Sequence, residues 1–355
     1  MKSLLHFCFL FFPLFMGAQT YTLYVGTYTS GASEGVYTLE LDSQTGTLSN
    51  KKLVAKETNP SYVAVTKNKQ FLYVLNEVNN FGDTESGAVA TYSLDASGIY
   101  QKINTVSTNG AHPCHISLNA SEDKLAISNY SGGNVSLHEI HNGIVQPAFQ
   151  VLNQNGKTKA HAHMAQFHEN QLFTADLGRN FIAEYTENTG MNYHESQLYS
   201  MTKNAGPRHF RFTKDGNFIY VINELNSTIS VLEKSSKGFT RIQNVNTLPE
   251  GYNGDNACAD IQLSPNEQFV YGSNRGENTI VVFRRNQETG RLVKVQSVPV
   301  QGNWPRSFII DPSGSFLLVA NERSNSIAVF RIEKETGKLR IASKLEIPNP
   351  VCLLF

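Results

Sequence analysis

Seven positions recur along the chain in one register: Val36, Val89, Val135, Ile182, Ile229, Ile280 and Ile327, at intervals of 53, 46, 47, 47, 51 and 47 residues. Each lies in a short β-branched run. The unit is clearest at Gly206-Pro207-Arg208-His209-Phe210-Arg211-Phe212, Asn217 to Leu225 and Ser227 to Leu232. Asp215-Gly216 and Leu225-Asn226-Ser227 separate these three strands, because glycine and asparagine accept the backbone angles of tight turns. Gln44-Thr45-Gly46, Glu288-Thr289-Gly290 and Glu335-Thr336-Gly337 mark hairpins into a fourth, outer strand. A repeat of this length, with four short strands and no competing helical period, predicts an all-β, seven-bladed β-propeller. Such a closed array absorbs the whole length as one domain.

The two ends complement each other. Tyr21-Thr22-Leu23-Tyr24-Val25-Gly26-Thr27-Tyr28 aligns with the second strand of a blade, as in Phe71 to Glu77, so the first blade lacks its first strand. Asn349 to Phe355 aligns with Asn59 to Val65, the start of a blade. The C-terminal strand is therefore expected to join the N-terminal blade and close the ring, removing two open sheet edges.

Residues 1–18 differ from the rest. Lys2 precedes an almost wholly apolar run from Leu4 to Phe15, and Gly17-Ala18 offers small residues for cleavage. This reads as a secretory signal peptide removed before Gln19, since the run is shorter than the roughly 20 residues a spanning helix needs. The domain then occupies residues 19–355, with no membrane attachment after cleavage and a periplasmic or secreted location. Cys8 leaves with the signal, and Cys114, Cys258 and Cys352 remain, an odd set without close spacing that gives no disulfide framework. With 30 Lys+Arg against 30 Asp+Glu, the chain carries no basic surplus for nucleic acid or an anionic membrane. A monomer is expected.

In a propeller, the start of each first strand and the end of each second strand meet at one mouth of the central channel. The first position reads Ser61, Cys114, His163, Arg208, Ala259, Arg306 and Val351, and the second reads Tyr28, Glu77, Tyr130, Leu177, Glu224, Arg275 and Glu322. One histidine, three arginines and three glutamates thus gather around one opening. Channel ion pairs of this kind are common and stabilise little, but the same parts bind an anion and move a proton.

His112-Pro113-Cys114-His115 and His161-Ala162-His163 invite a metal reading, since residues two apart on a strand share a face. No carboxylate joins them at ligand spacing, and their register partners are arginines, so no metal and no cofactor is expected. His112, His115 and His209 are read as bonding backbone at strand starts. Serine-nucleophile, P-loop and dinucleotide motifs are lacking.

These residues resemble the seven-bladed lactonase family, which includes propeller-type 6-phosphogluconolactonases and fungal 3-carboxy-cis,cis-muconate cyclases. The resemblance is carried by Gly26-Thr27-Tyr28, His161-Ala162-His163, Gly206-Pro207-Arg208-His209, Asn223-Glu224-Leu225, Ala259-Asp260-Ile261, Ser273-Asn274-Arg275, and Pro305-Arg306 through Val319-Ala320-Asn321, from about Tyr21 to Phe355. It implies catalytic roles for His163, Arg208, Glu224 and Arg275, all of which already stand in the two registers. Arg306, Glu77, Glu322 and Tyr130 are the expected substrate-binding residues. The implied activity is hydrolysis of a sugar lactone or related carboxylated lactone, with Glu224 or His163 as base and the arginines on the oxyanion or an acidic substituent. The same residues also suit lactone-forming cycloisomerisation, and a secreted binding propeller is the non-enzymatic alternative. A phosphorylated sugar lactone is a cytosolic metabolite, so with an export signal a non-phosphorylated sugar lactone or another carboxylated ring ester is equally compatible.

Overall fold

The computed structural model describes residues 19–154, 158–190 and 192–355. Residues 1–18, read above as a signal peptide, lie outside the described residues. The chain forms seven four-stranded antiparallel sheets, as the repeat predicts, numbered here as blades 1 to 7 from the N-terminus. In six blades the strands run in chain order from the channel outward. In blade 1 the C-terminal strand Pro350–Leu354 is innermost and pairs antiparallel with Thr20–Thr27, with Tyr24 opposite Leu354 and Gly26 opposite Cys352.

The burial of each strand follows from its place in the blade. Second strands such as Phe218–Asn223 and Phe316–Asn321 are buried at every residue. They are covered on both faces by neighbouring blades, so they read as unbroken apolar runs instead of alternating ones. Outermost strands such as Leu339–Glu346 expose most of their residues. Between blades the core is dense: Phe316 and Leu318 of blade 7 pack with Leu23 and Leu39 of blade 1, and Leu353 joins that cluster. The hairpin glycines have a specific role here. Gly290 has φ +67° and its Cβ would stand 2.3 Å from the ring of Phe218, while its carbonyl accepts the Tyr220 hydroxyl at 2.7 Å. Only glycine lets that turn lie flat against the next blade.

Two backbone features place the mouth residues. Five of the innermost strands carry one extra residue near their start; in blade 5, Pro207 pairs with Asn223 and His209 with Ile222, leaving Arg208 unpaired between them. The same bulge frees Cys114, His163, Arg306 and Val351. A bulge re-aims its side chain, here out of the sheet toward the channel. Two residues earlier, a backbone carbonyl accepts the N–H that follows the second strand. The pairs are Asn349 with Tyr28, Asn59 with Glu77, His112 with Tyr130, His161 with Leu177, Gly206 with Glu224 and Trp304 with Glu322, at 2.7–3.1 Å. The two registers are therefore held side by side in those six blades by the same hydrogen bond, and in blade 6 by the pairing of Ala257 with Arg275.

Candidate active site

A cavity of about 280 Å³ at the mouth is lined by Tyr28, Glu77, Cys114, Tyr130, His163, Glu224, Arg275 and Arg306. Every one of these residues stands in one of the two registers. Six of the eight residues expected at the site line it directly. Arg208 and Glu322 do not. Arg208 is 2% exposed and lies behind Glu224, and Glu322 stands 4.0 Å from Arg306 Nε on the far side of that side chain.

Glu224 organises one wall. Its Oε2 lies 2.6 Å from Arg275 Nη2 and 3.0 Å from Arg208 Nε. Both guanidiniums are held in place by backbone: Arg208 Nη1 donates to the Ala259 carbonyl, and Arg275 donates from Nε to Ala257 and from Nη2 to Cys258, each at 3.1 Å. These acceptors belong to blade 6, so one blade holds both arginines around a carboxylate from blade 5. Burial pushes both guanidinium pKa values down, that of Arg275 to about 10, which leaves Arg275 charged near neutrality.

The opposite wall is built on Tyr28. Its hydroxyl donates to the Glu77 carboxylate at 3.0 Å and accepts from Arg306 Nη2 at 2.7 Å, and burial pushes its own ionisation up, so it remains a neutral phenol. The register contained Tyr28, but its place between Arg306 and Glu77 was not legible from charge alone.

His163 completes the cavity. It is 5% exposed, and its ring lies edge-on to Tyr130 at 5.7 Å. Burial, reinforced by Arg208, His209, Arg306 and Arg275, holds its pKa well below 6.5. The imidazole is neutral at ordinary pH and can accept a proton. The other histidines depart from the expected backbone contacts. His112 Nδ1 meets Ser131 Oγ at 2.9 Å, His209 Nδ1 meets Asp260 Oδ1 at 2.9 Å, and His115 Nδ1 has no partner among the described residues. The reason is the bulge, which turns the residues beside it into the channel and away from the ladder. His161 stacks on Tyr130 at 4.5 Å with Nδ1 on the Tyr130 carbonyl, which separates its role from that of His163. Among the described residues, no three His, Cys, Asp or Glu side chains converge as a metal would need.

The three cysteines are free and buried on three different blades. No helix of the described residues is long and apolar enough to cross a membrane. A larger depression of about 700 Å³ around Glu169, Asn188 and Lys234 opens broadly to solvent and carries none of these convergent groups.

Fold and mouth define a seven-bladed propeller with a small, polar, enclosed cavity at the channel end. The chain belongs to the family described as lactonase, 7-bladed beta-propeller, whose family model matches residues 22–355. It is 35% identical over 348 residues to a 6-phosphogluconolactonase of Bacillus subtilis, covering 94% of this chain and 98% of that one. A 6-phosphogluconolactonase of Formosa agariphila is 30% identical over 308 residues, covering 82% and 86%. Among solved structures, a periplasmic gluconolactonase of Pseudomonas aeruginosa superposes with a TM-score of 0.87 at 29% identity, covering 95% of this chain and 99% of that one.

Proposed function

We propose that this protein is an exported lactonase that opens an uncharged, single-ring sugar lactone at the channel mouth. The reading rests on one observation: three arginines at the mouth, Arg208, Arg275 and Arg306, face three glutamates, Glu224, Glu77 and Glu322, and His163 is neutral. Across the mouth the three carboxylates balance the three guanidiniums, so the site as a whole carries no excess positive charge for a phosphate or a second carboxylate. The cavity volume is also at the lower end of the roughly 300–1,000 Å³ usual for small-molecule sites, which suits one ring.

In this reading His163 accepts the proton of the attacking water, and Arg275, on the cavity wall, stabilises the oxyanion that forms on the carbonyl. Glu224 orients Arg275 through Oε2 and leaves Oε1 for a substrate hydroxyl or the water. Arg208 acts behind it as a support. Arg306, Tyr28, Glu77 and Tyr130 hold the sugar hydroxyls, and Glu322 backs Arg306. The enzyme works as a monomer.

The deciding measurement is acid release from δ-gluconolactone and from its 6-phosphate, side by side, with purified protein lacking residues 1–18. Faster turnover of the uncharged lactone is expected. A strong preference for the phosphorylated one would overturn the substrate assignment and leave the lactonase assignment intact. Export is tested separately, by finding a chain that begins at Gln19 outside the cytoplasm.

A further inference from the structure

One layer below the mouth, a row of buried polar rings has no part in the site described above. His209 is 3% exposed and its Nδ1 lies 2.9 Å from Asp260 Oδ1. Asp260 is 3% exposed and further accepts from Ile261 N at 2.8 Å and, through Oδ2, from Ser307 Oγ and Phe308 N at 3.3 Å. Its nearest guanidinium, Arg211, is 3.9 Å away. This carboxylate is fixed by four donors, and His209 can only present Nδ1–H to it. The other nitrogen, His209 Nε2, must then carry a lone pair.

That lone pair has no partner, and His163 Nδ1, also buried, has none either. The two rings are neighbours, with centroids 5.2 Å apart at 69°. Two imidazoles joined by an N–H···N bond of roughly 2.9 Å have centres about 5 Å apart. Brought to that distance, an acceptor on His209 and a donor on His163 would satisfy each other, and a buried polar atom left alone is costly. His115 is the competing neighbour of His209, at 5.6 Å, with an unpartnered Nδ1 of its own.

We infer that Asp260 and His209 form a positioning pair behind His163, fixing it as the Nδ1–H tautomer so that its Nε2 lone pair faces the cavity and takes the proton of the attacking water. The inference rests on the lactonase reading of the mouth. The step balances as follows. The water oxygen bonds to the ester carbonyl carbon while the C=O π pair moves onto oxygen. The water proton goes to His163 Nε2, and the Nδ1 proton is held against His209 Nε2. Collapse breaks the bond between the acyl carbon and the ring oxygen, which leaves with the electron pair and regains the proton from Nε2. One water is consumed, and the hydroxy acid ionises to release one proton to solvent.

The charged and titratable groups facing His163 are Arg208, Arg275, Arg306, His209 and Tyr130, and those facing His209 are Arg208, Arg211, Arg306, His115, His163 and Asp260. With so many cations around it, an imidazolium at His163 needs the one carboxylate lying behind it in the channel. Asp260→Asn reverses the chain of tautomers. Ser307 and Phe308, two donors against the one of Ile261, keep the amide oxygen at the Oδ2 position at the loss of the Ile261 N bond, so the NH₂ faces His209 Nδ1, moves that proton to Nε2 and drives the His163 proton to its own Nε2.

The test is ¹⁵N NMR of histidine-labelled protein together with kcat/KM against pH for parent, Asp260→Asn, His209→Gln and His115→Phe. The parent is expected to show His163 protonated at Nδ1. Asp260→Asn is expected to move that proton to Nε2 and to lower kcat/KM about 10²-fold or more, as a wrong tautomer does in other Asp–His pairs, with melting retained. His115→Phe is expected to leave both unchanged. A parent His163 protonated at Nε2 overturns the inference without any variant, and so does an Asp260→Asn protein with the parental tautomer and kcat/KM. A His163→Gln protein of full activity also overturns the inference, because His163 is then not the base, whereas a parent that opens no lactone removes the lactonase reading while the tautomer result stands on its own.

Discussion

Arg306 Nη2 donates to the Tyr28 hydroxyl at 2.7 Å, joining side chains 278 positions apart in sequence. Tyr28 follows the second strand of blade 1 and Arg306 stands in the bulge of blade 7. Their bond crosses the seam at which the ring closes, so the architecture and the site share a joint.

Tyr28→Phe removes the hydroxyl that bridges Arg306 and Glu77. A hydrogen bond to a charged group contributes about 1.5–3 kcal/mol, a factor of roughly 10–150 in binding. Because Tyr28 holds a binding residue and does not meet the reacting carbonyl, KM is expected to rise about tenfold or more with a much smaller change in kcat. Steady-state kinetics on δ-gluconolactone check this, and a variant with unchanged KM would separate the seam from the site.

Deleting residues 350–355 is expected to abolish cooperative folding. Leu353 is 5% exposed within the blade 7–blade 1 core, and Val351 is 3% exposed. Burying two such side chains contributes about 3–6 kcal/mol, against a total stability on the order of 5–15 kcal/mol for a folded domain. The deletion also opens the edge of Thr20–Thr27. Thermal melting followed by circular dichroism decides it, and a sharp transition near the parental temperature would contradict the closure.

The repeat made the ring, its closure and the two mouth registers legible, because equivalent positions in seven blades occupy equivalent places. A register lists positions without their partners. It could not tell Arg275, on the cavity wall, from Arg208, enclosed behind Glu224, since both are arginines at mouth positions of adjacent blades. It placed Ala259 at the mouth of blade 6 and passed over Asp260 beside it. Reading one residue further gives Tyr62, His115, Met164, His209, Asp260, Ser307 and Cys352, the layer that holds the histidine row. The bulge hides this layer from a strict alternation of faces, because the extra residue lets two successive side chains turn toward the channel.

Stability is expected to fall as pH drops below about 6.5. Burial depresses the pKa of His115 to about 3, and those of His163 and His209 lie well below 6.5. The unfolded chain binds these protons near 6.5 and the native state does not, so ν of the unfolded state exceeds ν of the native state and stability rises with pH through this window. It is complete above about 6.5 and is lost progressively toward the folded values, at up to about 1.4 kcal/mol per pH unit for each histidine. Urea midpoints between pH 7 and pH 4 are the measurement. His115→Phe should flatten the slope by one proton, and a midpoint constant over that range would mean the three rings are not buried neutral.

The pairing of Arg208 and Arg275 on one oxygen of Glu224 makes their variants unequal. Arg275→Lys keeps a charge on the cavity wall but loses the fork that meets Glu224 and two carbonyls at once, and turnover is expected to fall about 10²-fold or more, as when one oxyanion donor is removed. Glu224→Gln should cost a similar factor. It also leaves two buried guanidiniums without their counter-charge, so a loss of about 3 kcal/mol or more in stability accompanies it, and rates must be taken well below its melting point. Arg208 reaches the chemistry only through Glu224. Arg208→Lys should therefore add little to Glu224→Gln in the double variant, whereas Arg275→Lys should still add to Arg208→Lys. Arg306→Lys, on the other wall, should raise KM and spare kcat. Parental turnover in both Arg208→Lys and Glu224→Gln would show that the mouth is not the active site and that its charges form a solvated ion-pair ring.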